Sequence, residues 1–144
     1  MINLANRIIP KKKILLVEDN RMHSELVRII IQSSFDAGVT IAENGRDALD
    51  KITEGNIFDL IIIDIMLPKI NGLEVLRTIR KVYDKVPILM ISALNDKETV
   101  KKSFEDGATD YVDKPIRNEL LRDKISLLLN SRWINFDILC NTVF

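Results

Sequence analysis

Apolar positions along the chain fall into two alternating patterns. Ile14 to Val17, Val39 to Ala42, Phe58 to Ile63, Ile88 to Ile91 and Asp110 to Val112 are short runs with few polar interruptions. Such runs suit strands buried on both faces, where the alternation of a half-wetted strand is lost. Between them the spacing turns helical. Met22, Leu26, Ile29 and Ile30 recur at i, i+4, i+7 and i+8, which predicts an amphipathic helix to about Ser33, capped by Asp19 or Asn20. Ala48, Leu49 and Ile52 predict a short helix after the Asn44-Gly45 turn, ending near Glu54. Leu73, Leu76, Ile79 and Tyr83 predict another behind the loop from Lys69 to Gly72. Asp96 to Asp106 reads as a mostly polar helix anchored by Val100 and Phe104 and stopped at Gly107. From Ile116 onward, Leu121, Ile125 and Leu128, joined by Leu120 and Leu127, give a last helix with a wide apolar face.

Strand and helix thus alternate five times. Strands separated by helices cannot pair as hairpins, so they pair in parallel through right-handed crossovers. The expected fold class is α/β, a single doubly wound five-stranded parallel sheet of (βα)5 form over residues 11-131. A lead-in occupies 1-10, and 132-144 is an apolar tail carrying Trp133, Ile134, Phe136, Ile138 and Leu139.

Composition narrows the partners. The chain has 144 residues, enough for one domain with a substantial core. Lys plus Arg and Asp plus Glu both number 21, so charge gives no case for direct contact with nucleic acid or an anionic membrane. Lys11 to Lys13 read as a solvated lead-in to the first strand. The single cysteine, Cys140, excludes an internal disulfide framework and suits a reducing cytosol. The opening residues lack the apolar core of a secretory signal, and the apolar run broken by Asp64 falls well short of the ~20 residues that span a bilayer. A cytoplasmic location is expected.

The chemistry sits where the strands stop. Glu18 and Asp19 follow the first strand, Asp64 the third, Ser92 the fourth and Lys114 the fifth. In a parallel sheet all of these ends share one edge, the edge at which open α/β sheets bind ligands. Clustered carboxylates repel one another, and desolvation sharpens the repulsion; a cation resolves both. All-oxygen ligands favour a hard ion such as Mg2+, with Mn2+ as the alternative. Lys114 cannot ligate the metal but can pair with an anionic oxygen opposite it. The set is suited to holding a tetrahedral anion against Asp64. Attack by that carboxylate on a phosphoryl group gives an aspartyl phosphate, its oxygens taken by the metal, Lys114 and Ser92.

In order and placement these residues resemble the receiver domain of bacterial response regulators, the chemotaxis-type, flavodoxin-like phosphoacceptor module, over about residues 11-131. Singly each match is weak, since Glu-Asp before a helix is more often a cap and Lys-Pro alone is noise. Their conjunction, each at a strand end, carries the likeness. The resemblance implies the strand order 2-1-3-4-5. It implies that Glu18 and Asp19 are the acidic metal pair, Asp64 the phosphoacceptor and the backbone carbonyl of Met66 a further metal ligand. Ser92 matches the hydroxyl switch, Tyr111 the aromatic switch and Lys114 the family's lysine, joined by a cis peptide to Pro115. Pro68 and Gly72 match the proline and glycine after the acceptor.

The implied function is two-component phosphorelay signalling. A histidine kinase or histidine phosphotransfer protein donates the phosphoryl group, and the module catalyses only its own phosphorylation and dephosphorylation. Met66 and Leu94 stand where the family flanks the attacking water; both are apolar, which predicts slow dephosphorylation. The helix from Asp96, the strand at Tyr111 and the helix from Ile116 form the face expected to bind a downstream protein or a second copy. Leu120 and Leu127 serve that surface or else pack on the tail. His23, the only histidine, reads as a solvated side chain on the polar side of the first helix rather than a phosphodonor. A haloacid-dehalogenase-type phosphatase would need a second aspartate where Met66 stands, and a P-loop enzyme would need a Gly-rich Lys-Ser/Thr motif. A receiver-like fold used only for binding, without phosphorylation, is the remaining alternative. The sequence does not choose among a shuttle, a stand-alone regulator and a piece of a hybrid kinase.

Overall fold

The structure, a computed structural model, describes the backbone of residues 11-142 and the side chains of 11-130. Strands β1 (Lys12–Val17), β2 (Ala37–Ala42), β3 (Leu60–Asp64), β4 (Ile88–Ser92) and β5 (Asp110–Asp113) alternate with helices α1 (Arg21–Ser34), α2 (Gly45–Thr53), α3 (Gly72–Val82), α4 (Lys97–Glu105) and α5 (Asn118–Thr142). All pairings are parallel, in the order β2-β1-β3-β4-β5. That is the order the family likeness implied.

Odd and even strand positions feed two cores, because successive side chains on a strand point to opposite faces. Leu15, Val17, Ile61, Ile63, Ile88 and Met90 pack on one side with Ala48 and Ile52 of α2 and with Val75, Leu76 and Ile79 of α3. Ile14, Leu16, Leu60, Ile62, Leu89 and Ile91 pack on the other with Val27, Ile30 and Ile31 of α1 and with Leu121, Ile125 and Leu128 of α5. Both faces are covered, which is why the central strands carry no polar alternation. Asn20, Asn44, Asn71 and Asp96 cap the first four helices, each side chain accepting the backbone N–H three residues on. Since Asn20 is the cap, Asp19 is released for the sheet edge.

Several sequence expectations need correction. In α1, Met22 and Ile29 are 79% and 62% exposed, and the buried positions are Ser24, Val27, Ile30 and Ile31. The helix is apolar on more than one side, and packing against the sheet selects the face that carries Val27, Ile30 and Ile31. In α4, Phe104 is exposed and Ser103 takes the buried position. In α3, Val75 is buried, whereas Tyr83 lies past the helix as its C-cap and is exposed. The last helix does not stop at 131 but continues through the expected tail to Thr142. The lead-in over 1-10 and the proposed packing of Leu120 and Leu127 on the tail side chains lie outside the described residues.

Candidate functional site

The expected residues meet at the C-terminal edge of the sheet. Glu18 directly follows β1, its N–H bonded to the Ala42 carbonyl at 3.0 Å, and Asp64 ends β3; both are buried. Asp19 is exposed beside them. One oxygen each from Glu18, Asp19 and Asp64 lie within 4.8 Å of one another. Lys114, after β5, donates from Nζ to Asp64 Oδ2 at 2.7 Å and to Glu18 Oε1 at 3.1 Å. The Lys114 N–H donates to the Ser92 carbonyl at 2.9 Å, and the Lys114-Pro115 peptide is cis.

Two loops complete the rim. After Asp64, the Met66 N–H donates to Asp64 Oδ1 at 2.9 Å, which ties that carboxylate to the start of the β3-α3 loop. Gly72 lets the loop close over the strand end: a Cβ there would lie 2.2 Å from the Asp64 carbonyl oxygen and 2.7 Å from Ile65 Cα. After β4, the buried Ser92 accepts the Leu94 N–H on Oγ at 3.0 Å. The Tyr111 hydroxyl, on a buried ring, donates to the Leu94 carbonyl, so Leu94 connects both expected switch residues. The side chains of Met66 and Leu94 are exposed and line one groove beside the acidic pocket.

Proximity perturbs the charged groups. Burial first, then a hydrogen bond with Asp64 and its negative charge, lift the Glu18 carboxyl from 4.5 to about 8, against the pull of Lys114. Burial pulls the Lys114 ammonium down, but the hydrogen bond and charge of Asp64, with Glu18 behind them, outweigh it and leave the group above its ordinary value. A carboxyl that holds its proton near neutrality is the signature of acids packed without enough positive charge. Among the described residues the Lys114 ammonium is the one lysine or arginine paired with these carboxylates, and their donor atoms are hard oxygens. They fit a divalent cation such as Mg2+, which supplies the missing charge.

One member of the site was not foreseen. His23, expected as a solvated side chain, is still 43% exposed, but its Nδ1 lies 3.1 Å from Glu18 Oε1 and 3.0 Å from Lys114 Nζ. Its position is the signal that could have revealed it. His23 stands three residues beyond the Asn20 cap, and helix side chains lean toward the N-terminus, here toward the two acids.

A doubly wound sheet with acids, a hydroxyl and a lysine gathered at its carboxyl edge is the arrangement of a phosphoacceptor-type signalling domain. The family model of the response regulator receiver domain matches residues 14–126, and the chain belongs to that family. Accepting a phosphoryl group in two-component signalling is the family's general function. The chain is 39% identical over 118 residues to the regulatory protein VanRB of Enterococcus faecalis, covering 81% of this chain and 52% of that one. It is 36% identical over 116 residues to the probable C4-dicarboxylate response regulator DctR of Bacillus subtilis, covering 78% and 50%. The chain thus spans about half the length of these curated relatives. Among solved structures, a CheY-like receiver domain protein from Methanospirillum hungatei superposes with a TM-score of 0.79 at 29% identity, covering 85% of this chain and 96% of that one.

Proposed function

We propose that Asp64 accepts a phosphoryl group from the phosphohistidine of a histidine kinase or a histidine phosphotransfer protein. The carboxylate attacks phosphorus, the P–N bond breaks, and the imidazole leaves with its electron pair and takes up a proton. Glu18, Asp19, Asp64 and the Met66 carbonyl would hold Mg2+, or Mn2+, which neutralises phosphoryl oxygens when bound. Lys114, already 2.7 Å from Asp64, pairs with a phosphoryl oxygen, and the Ser92 hydroxyl donates to another. The observation that carries this reading is the Lys114 ammonium seated on a buried Asp64 whose oxygen lies within 4.8 Å of two further acids.

The product acts by its shape. Drawing the Ser92 hydroxyl onto the phosphoryl group takes it from the Leu94 N–H, and Leu94 is bonded to Tyr111, so the change reaches the α4-β5-α5 face. Phe104 and Leu127 stand exposed on α4 and α5 and offer that face an apolar surface for a downstream protein or a second copy. The chain acts on no separate substrate: it promotes its own phosphorylation and, with apolar Met66 and Leu94 beside the acceptor, loses the phosphate slowly. Among the described residues no helix is long and apolar enough to cross a membrane, and we place the domain in the cytoplasm with its donor.

The test is covalent labelling with acetyl phosphate in Mg2+, followed by intact mass. The native chain gains one phosphoryl group. Chelation with EDTA or the substitution Asp64→Asn removes the label, and equal labelling of Asp64→Asn overturns the assignment.

A further inference from the structure

The Lys114 ammonium has three N–H donors, and among the described residues it meets three acceptor groups. Asp64 Oδ2 lies at 2.7 Å, Glu18 Oε1 at 3.1 Å and His23 Nδ1 at 3.0 Å. Each is suited to take one proton, so the flexible lysine stem is held from three sides. Two of these acceptors have other work in the proposed reaction. Glu18 turns to the cation, and Asp64 becomes the acyl phosphate. His23 alone keeps its lone pair for Lys114 throughout.

We propose that His23 is a positioning residue, whose Nδ1 accepts from Lys114 and keeps the ammonium aimed at the phosphoryl site while both carboxylates are engaged elsewhere. This inference rests on the phosphoryl-acceptance reading. The role needs the tautomer with its proton on Nε2. In that tautomer the ammonium bridges His23 Nδ1 and Glu18 Oε1, which lie 3.1 Å apart. The imidazole is well placed for a fixed acceptor. Its backbone N–H is bonded to the Asn20 cap at 3.0 Å, in the first turn of a long helix. The side chain is 43% exposed, so in its absence water takes the third place on Lys114 without fixing its direction.

The full chain tests this with His23→Ala, His23→Asn and His23→Gln. Asn carries its amide oxygen where Nδ1 stands in His, whereas Gln reaches the Nε2 position. With acetyl phosphate at saturating Mg2+, His23→Ala should label about three- to tenfold more slowly, the range of one ordinary hydrogen bond at a partly exposed position where water partly replaces the lost acceptor. His23→Asn should recover most of the native rate and His23→Gln should not. Affinity for Mg2+, measured by calorimetry, should stay within about twofold in all three, because His23 holds no metal. In the beryllofluoride-bound protein the Lys114 ammonium should give a slowly exchanging NMR signal in the native and Asn forms and not in the Ala form. A native labelling rate in His23→Ala, equal rates in Asn and Gln, or a loss of Mg2+ affinity that parallels the rate overturns the inference. Those results leave acceptance by Asp64 standing; a native chain that takes no label overturns that reading and this one together.

Discussion

Without metal, the domain should lose stability as the medium becomes more alkaline, and Mg2+ should abolish the loss. The cause is Glu18, whose carboxyl rises from 4.5 to about 8 on burial beside Asp64. A carboxyl whose pKa is raised by folding binds its proton more tightly in the folded chain than in the unfolded one. Its contribution is fully present below the ordinary value and is lost as pH climbs toward the raised one, at up to about 1.4 kcal/mol per pH unit. Between about pH 6 and pH 8 the loss comes to about 2 kcal/mol, which moves the melting temperature down by roughly 5 to 10 °C for a chain of this size. Thermal unfolding followed by circular dichroism in EDTA reads this directly. Saturating Mg2+ keeps Glu18 ionised at both pH values and removes the slope, and the apparent Mg2+ affinity rises up to about tenfold per unit as pH approaches 8. Glu18→Gln, which has no proton to lose, should show none of this slope. A metal-free melting temperature that is flat or rises from pH 6 to 8, or a slope that survives in Glu18→Gln, refutes the argument.

Three further outcomes follow from the same geometry. Gly72→Ala places a Cβ 2.2 Å from the Asp64 carbonyl oxygen, against the Asp64–Ile65 backbone, which cannot swing aside as a side chain can, so it should cost about 2 kcal/mol or more in urea unfolding; an unchanged midpoint refutes the close approach. Met66→Asn combined with Leu94→Glu should speed decay of the phosphorylated chain several-fold by giving water polar partners beside Asp64, and faster decay of the native chain refutes the shielding. Ser92→Ala should still accept phosphate yet change the α4-β5-α5 face less on phosphorylation, as amide shifts in NMR would show; native-sized shifts would rule out the hydroxyl as the trigger.

What was legible in the sequence was whatever burial writes into composition. Leu60 to Ile63 and Ile88 to Ile91 are covered on both faces, so their continuous apolar character marked them as central strands, and the first polar residue after each marked the site. Helix faces were less legible because α1 offers two apolar stripes. Met22, Leu26 and Ile29 repeat as regularly as Val27, Ile30 and Ile31, and only packing against the sheet decides between them. His23 was missed for a related reason. Its place three residues past the cap carries the lean of a first-turn side chain toward Glu18, but the contact with Lys114, a residue far away in sequence, leaves no local pattern. The continuation of α5 to Thr142 was hidden by the apolar residues after 131, which read as a tail.

Leu94 shows how a site and a surface can share one peptide unit. Its N–H is held by Ser92 Oγ and its carbonyl by the Tyr111 hydroxyl, so the loop between β4 and α4 is pinned on both sides of a single residue. The Tyr111 ring is already buried, so in the proposed switch the group that moves is the Ser92 hydroxyl, which leaves the Leu94 N–H when it turns to donate its proton to a phosphoryl oxygen. Releasing the Leu94 N–H unpins one side of the loop while Tyr111 retains the other. On the proposed reading, the remaining Tyr111 bond then links the loop to β5. A two-state response needs a differential contact of this kind, because a ligand shifts an equilibrium only by what it gains in one state over the other.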